Sequence, residues 1–166
     1  MKKLLLIAVL AVAGVAAAVA QPRAIGLNLG TGNGISYQHS LGEANMLDVA
    51  VQVPVLTEGL GLGGIVTYDW INPFGTAIPW DYQGTWNWYL GVGGSAGVYG
   101  LLSTEYANHW YAGVAGHVGI EYQFWFPLQL SLDLRPTIGV DNTADKLGFG
   151  LGGIYSGISL GVRYLF

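Results

Sequence analysis

The chain ends in the stretch ISLGVRYLF, residues 158–166, and this stretch decides the predicted fold. Its large apolar side chains alternate with small or polar ones. One face of an extended strand carries Ile158, Leu160, Val162, Tyr164 and Phe166, and the other carries Gly157, Ser159, Gly161 and Arg163. Because successive side chains of a β-strand point to opposite faces, one face suits lipid and the other a polar interior. A half-buried strand of a soluble sheet alternates in the same way, so this segment alone leaves both alternatives open.

The same alternation recurs in two segments further upstream. Residues 128–135 set Leu128, Leu130, Leu132 and Leu134 against Gln129, Ser131, Asp133 and Arg135. Residues 110–122 set Trp110, Ala112, Val114, Val118, Ile120 and Tyr122 against Tyr111, Gly113, Ala115, His117, Gly119 and Glu121. In each segment the ionisable side chains fall on the second face, as the wall of a membrane barrel requires.

Five more segments follow the pattern less strictly, namely residues 24–30, 34–41, 46–53, 60–70 and 86–96. Together these segments predict an all-β chain that forms a closed antiparallel transmembrane β-barrel of about eight strands. Closure is required because an open sheet edge in hydrocarbon leaves backbone groups without hydrogen bonds. An even number of strands places both termini on the periplasmic side.

Two connections leave alternatives open. Residues 24–41 form either one long strand or two strands joined by a tight turn, and the Asn33-Gly34 pair favours the turn. Residues 71–85 form a long connection that the strand count places on the periplasmic side, where short turns are typical. Residues 98–109 and 140–153 are predicted as the longer extracellular loops.

The amino-acid composition supports a barrel whose outer wall faces a membrane. The chain is 52% hydrophobic and only 10% charged, and it contains 27 glycines. A soluble domain carries about a quarter charged residues. Aromatic residues cluster near the predicted strand ends, which predicts two aromatic girdles at the membrane interfaces. The competing interpretation is the aromatic core of a soluble β-sandwich.

Residues 1–20 have the pattern of a secretory signal peptide, with Lys2 and Lys3, an apolar run and a small-residue end at Ala18-Val19-Ala20. A membrane-spanning helix is the alternative. Residues 21–166 form the predicted barrel domain. Without the two lysines this domain keeps 6 − 2 = 4 basic residues against 10 acidic ones, a net charge of 4 − 10 = −6. This charge disfavours nucleic acid as a partner. The absence of cysteine excludes disulfides and thiolate metal sites.

The inward face collects a predicted polar network of seven ionisable residues: Asp48, Asp69, His117, Glu121, Asp133, Arg135 and Arg163. The favoured interpretation is an interior of ion pairs and hydrogen bonds, and the alternatives are an ion or proton path or a buried catalytic set. Inward glycines either leave a pocket or make room for bulky neighbours such as Tyr89, and packing is favoured.

The final residues resemble the C-terminal assembly signal of outer-membrane barrels. The matching positions are the aromatic last residue Phe166, Tyr164 two residues before it, and the upstream hydrophobes Val162 and Leu160. This resemblance implies recognition by the barrel-assembly machinery during biogenesis.

Longer stretches resemble the poorly characterised small outer-membrane β-barrel domain proteins, distantly like outer-membrane protein X and the Ail adhesin. They are AIGL at 24–27, ISYQH at 35–39, WYLGVG at 88–93, GIEY at 119–122 and PLQLSLDLRP at 127–136. The resemblance implies architecture and an outer-membrane location, with outer-membrane lipid and lipopolysaccharide as surroundings. It transfers no catalytic motif.

The predicted function is therefore a structural or surface-interaction role through extracellular loops, with no catalysis, cofactor or metal and with an unknown loop ligand. One alternative is a narrow channel or a barrel that binds a small solute or lipid in a glycine-lined interior. The other is a lipid-modifying outer-membrane enzyme that uses His109 with Ser103 and Glu105, or His39 with Ser40.

Overall fold

A computed structural model describes residues 21–30, 33–53, 55–56, 59–75, 83–99, 109–142, 148–151 and 157–166. The predicted signal peptide, residues 1–20, lies outside the described residues. Within the described part the chain is nearly all β-structure. The strands are β1 (Gln21–Gly30), β2 (Gly34–Ser40), β3 (Asn45–Gln52), β4 (Val55–Leu56), β5 (Gly59–Leu60), β6 (Leu62–Pro73), β7 (Gly84–Tyr99), β8 (His109–Phe124), β9 (Leu128–Leu134), β10 (Thr137–Asp141), β11 (Gly148–Leu151) and β12 (Ile158–Leu165).

Eight of these strands close into an antiparallel barrel. Their order around the described wall is β8-β7-β6-β3-β2-β1-β12-β9, and β9 pairs with β8 to complete the ring. The first strand, β1, pairs with the last strand, β12, from Ala24 opposite Leu165 to Gly30 opposite Ser159. This pairing leaves neither β1 nor β12 as an open edge, and it confirms the predicted closed antiparallel barrel of eight strands.

Residues 24–41 form a hairpin, which decides between the two alternatives for this segment. β1 and β2 pair from Gln21 opposite Ser40 to Asn28 opposite Gly34. The side chain of Asn33 supports the turn, because its Oδ1 accepts a hydrogen bond of 3.0 Å from the backbone N–H of Gly30. The Asn-Gly pair was therefore a correct indicator of a turn.

The barrel has two rims, which differ in the connections they carry. The terminal rim carries Gln21, Phe166 and the connections at 41–44, 74–83 and 125–127. The loop rim carries the connections at 31–33, 53–61, 100–108 and 142–147. The connection predicted at 71–85 lies at the terminal rim, as the strand count placed it. It is shorter than predicted because β6 continues to Pro73 and β7 begins at Gly84.

The wall is taller on one side. β7 and β8 each have 16 residues, whereas β2 has 7 and β3 has 8. Towards the loop rim β8 leaves β9 and pairs with β10, and β10 pairs in turn with β11. The prediction of a loop over 140–153 was therefore wrong in part, because residues 148–151 belong to β11. The strand is interrupted between β9 and β10 at Arg135-Pro136, because proline lacks the backbone N–H that strand pairing needs.

Burial in this barrel is inverted with respect to a soluble domain. Large apolar side chains are exposed on the outer wall, where Leu132 is 48% exposed and Leu90 is 49% exposed. The buried apolar residues include one small cluster, formed by Ala50, Ile65 and Ala115. Polar and charged side chains fill the rest of the described interior. No helix among the described residues is long and apolar enough to cross a membrane.

The outward aromatic side chains gather at the terminal rim. Rings contact one another from Trp86 to Tyr122, at a centroid separation of 4.8 Å, and from Tyr122 to Phe124 at 4.7 Å. Tyr164 and Phe166 form another such pair at 5.5 Å. Towards the loop rim, Trp110 is the outward aromatic side chain of β8. The described residues thus include a dense aromatic girdle at the terminal rim, and the second predicted girdle stays a prediction.

Candidate functional site

The barrel interior gathers the seven ionisable residues singled out in the sequence. Each of them is at most 2% exposed. They come from five strands and the segment after β9, and they converge because each occupies the inward position of its strand. They form two layers: a central layer of Asp48, Asp69, His117, Asp133, Arg135 and Arg163, and a second layer around Glu121 nearer the terminal rim.

Arg163 has the most extensive contacts in the central layer. Its Nη2 lies 3.2 Å from Asp133 Oδ2 and 3.9 Å from Asp48 Oδ2. The guanidinium also donates to Ser36 Oγ at 2.8 Å and to Asn28 Oδ1 at 2.8 Å. It thereby ties β12 to β1, β2, β3 and β9. Charge-assisted bonds of this kind are the strong ones in a water-poor interior.

Arg135 crosses the interior from the end of β9 to β3. Its Nη2 donates to Asp48 Oδ1 at 3.0 Å, and both side chains are buried. The other oxygen of Asp48 accepts a bond of 3.1 Å from Gln38 Nε2. Asp48 is therefore held by partners from both sides of the ring, as a buried carboxylate requires.

His117 lies between two carboxylates. Its Nδ1 is 2.9 Å from Asp69 Oδ1, and its Nε2 is 3.2 Å from Asp133 Oδ1. Tyr89 also donates its hydroxyl to Asp133 Oδ1. Ionised carboxylates only accept, and only the doubly protonated imidazole donates from both nitrogens. The geometry therefore calls for a charged His117.

A charged His117 balances the interior. The cations are then Arg23, Arg135, Arg163 and His117, which makes four. The carboxylates are Asp48, Asp69, Glu121 and Asp133, which also makes four. Among the described residues, opposite charges buried in the interior are thus equal in number and compensate one another.

The second layer is built around a residue that the sequence analysis missed. Arg23 pairs with Glu121, and its side chain is only 10% exposed. Simple alternation places Arg23 outward with Ile25 and Leu27. A β-bulge turns it inward, because Pro22 pairs with His39 and Ala24 with Gln38, which leaves Arg23 as the extra residue. Amide side chains of Asn87, Gln123 and Gln129 also donate to Glu121.

The inward glycines give space to large polar neighbours. A Cβ added at Gly119 would lie 2.5 Å from the ring and hydroxyl of Tyr89, and one added at Gly91 would collide with the Asp69 carboxylate. One added at Gly161 would meet Ser131 and Arg163. These glycines are therefore packing positions for the network.

We expect Gly119→Ala to lower the free energy of unfolding by about 1–3 kcal/mol, because the added methyl displaces Tyr89 from Asp133. The matched control is Gly64→Ala on the outer wall, where an added Cβ meets nothing within 4 Å. Urea titration of the barrel refolded in phospholipid vesicles measures both variants. Equal midpoints for the two would show that Tyr89 adapts without cost.

The residues considered for catalysis are described only in part. Ser103 and Glu105, the predicted partners of His109, lie outside the described residues. His39 is buried, and its Nδ1 lies 2.9 Å from the Tyr37 hydroxyl. No cluster of three or more metal-binding side chains occurs within the described ranges. The charged side chains of the interior bond one another, which favours a structural role for them over a catalytic one.

The positions of the predicted assembly signal line the outer wall at the terminal rim. Leu160 is 48% exposed, Tyr164 55% and Phe166 68%, while Val162 is partly buried. Their alternation with buried Gly161 and Arg163 follows the sequence pattern.

No protein-family model, curated protein or solved structure matches the chain.

Proposed function

We propose that this chain is an integral β-barrel protein of a Gram-negative outer membrane, with a structural or surface-interaction role. The single observation that carries the proposal is the inverted burial of the wall. Arg163 is 1% exposed, whereas Leu160 three residues earlier is 48% exposed. Water favours the opposite arrangement, and hydrocarbon favours this one.

The size of the wall supports the membrane location. A transmembrane strand needs about 9–11 residues when it is tilted. β1 has 10 residues and β6 has 12. The girdle around Trp86 and Tyr122 lies at the terminal rim, where aromatic rings favour the lipid interface. Outer-membrane lipid and lipopolysaccharide are therefore the proposed surroundings.

The interior supports a closed scaffold in preference to a channel. The central layer spans the interior, since Arg135 of the β9 side bonds Asp48 of β3, and Arg163 of β12 lies 3.9 Å from Asp48 Oδ2. Small eight-stranded barrels have interiors just wide enough for side chains to fill. An ion would have to break several of these bonds to pass.

The loop rim supports a role in surface interaction. Longer loops of outer-membrane barrels face the exterior, and binding residues are commonly found on loops held by a rigid scaffold. Here β7, β8, β10 and β11 continue towards this rim, and the described edge of β11 pairs with β10 alone. The tall side of the wall is the proposed contact surface.

The proposal is tested with residues 21–166 refolded in detergent. We expect the unboiled protein to migrate differently from the boiled protein on a gel, and the folded band to give no discrete currents in planar bilayers. Discrete small currents would contradict the closed scaffold and support the channel alternative. A chain that stays soluble without detergent and shows no mobility shift would contradict the membrane barrel.

A further inference from the structure

We infer that the half of the interior nearer the loop rim binds a small free oxyanion, a carboxylate or a phosphate, through Arg135, Thr137 and Ser95. This goes beyond a scaffold role, because it gives the barrel a ligand site of its own.

The first step is the incomplete bonding of Arg135. The side chain is only 2% exposed, and Nη2 donates to Asp48. Within the described part of the chain, Nε and Nη1 have no hydrogen-bond partner. A buried guanidinium that leaves donors without acceptors is costly, so these nitrogens require an acceptor in the functioning protein.

The second step is the presence of two hydroxyls on the same side of the central layer. Thr137 is 4% exposed and Ser95 is 6% exposed, and the hydroxyl of each has no partner among the described residues. Thr137 lies two residues after Arg135 and pairs with Ala115, which pairs with Gly93 on β7. Ser95 lies two residues further along β7. All three side chains are buried within the same barrel.

The third step is the bonding state of the nearby carboxylates. Asp48 accepts from Arg135 and Gln38, and Asp133 accepts from Tyr89, His117, Ser131 and Arg163. These carboxylates are committed to other donors. Within the described part of the chain, neither carboxylate accepts a hydrogen bond from Nε or Nη1 of Arg135.

The fourth step is the chemistry of these donors and of their neighbours. Guanidinium N–H groups and hydroxyls are donors, and an oxyanion offers several acceptor oxygens to match them. Ala115 opposite Thr137 and Ile65 opposite Ser95 belong to a buried apolar cluster, so their side chains offer the donors no acceptor. The central layer closes the path towards the terminal rim, so entry is from the loop rim.

The test uses the refolded barrel in lipid-free zwitterionic micelles with inorganic phosphate as the probe and chloride at equal ionic strength as the reference. We expect phosphate to raise the melting temperature in a saturable way. The double variant Thr137→Val with Ser95→Ala should weaken the apparent phosphate affinity roughly tenfold, because two hydroxyl donors are lost. Acetate in a parallel titration distinguishes a carboxylate from a phosphate preference.

The double variant removes only hydroxyls that bond nothing in the described structure, so we expect it to fold. An Arg135 variant would lose the bond to Asp48 and is a less suitable test, because it could fail to fold. The control is Thr85→Val, an exposed position at the terminal rim, which should respond to phosphate as the wild type does. A wild-type response to phosphate no greater than to chloride would overturn the inference, and so would an unchanged affinity in the double variant. In either case, water would be the occupant.

Discussion

Replacing Arg163 with alanine is expected to lower the free energy of unfolding by about 3–5 kcal/mol, the range for removing one partner of a buried ion pair. The guanidinium donates to Asp133, Ser36, Ser131 and Asn28, and the side chain is 1% exposed. Its removal leaves a carboxylate and several polar groups in a space from which water is excluded. Urea titration in phospholipid vesicles, followed by tryptophan fluorescence, measures the loss.

Two variants separate charge from volume in this experiment. Arg163→Met retains most of the side-chain volume, so a comparable loss would assign the effect to the unpaired carboxylates. Glu43→Gln removes a charge from the exposed turn at 41–44 and should change stability by less than about 0.5 kcal/mol. An Arg163→Ala protein as stable as the wild type would refute the structural role of the central layer.

Placing a charge on the outer wall is the second large perturbation. We expect Leu132→Arg to cost about 2–4 kcal/mol, the penalty for arginine near the bilayer midplane of a barrel. Leu132 is 48% exposed and lies between Ile120 on β8 and Leu160 on β12. The arginine would have to dehydrate in hydrocarbon or draw water into the bilayer.

The matched control for this variant is Leu41→Arg. Leu41 is 45% exposed, close to the value for Leu132, but it lies in a turn at the terminal rim. A charge near the interface costs about 0–1 kcal/mol. Similar losses for both variants in vesicles, or similar losses in vesicles and in a membrane-free solution, would contradict a hydrocarbon environment around Leu132.

The facing of side chains was predictable because it depends on one simple periodicity. Successive side chains of a strand point to opposite faces, so Arg163 and Leu160 were assigned to opposite faces from sequence alone. The contacts among inward residues were not predictable. Arg163 on β12 approaches Asp48 on β3, and these strands are not neighbours in the sheet. Such a contact depends on how the closed ring brings opposite walls together.

Arg23 shows where the periodicity itself fails. One extra residue in β1 reverses the facing of Arg23, and the sequence carries no clear mark of that bulge beyond Pro22 beside it. The rim at which each aromatic cluster lies was not predictable from alternation either. Aromatic residues mark strand ends, but only the direction of each strand decides which rim an end belongs to.

The bonds of Arg163 also have a consequence for the order of events during folding. Its partners Asn28 and Ser36 are 135 and 127 residues away along the chain, and they come within reach only when β12 pairs with β1. Contacts between such distant residues form slowly. Until the two ends meet, the guanidinium lacks these two acceptors and bonds only those of β9. Intermediates without the β1–β12 pairing are therefore expected to be less stable, and closure of the ring is expected to be the cooperative, rate-limiting step of folding.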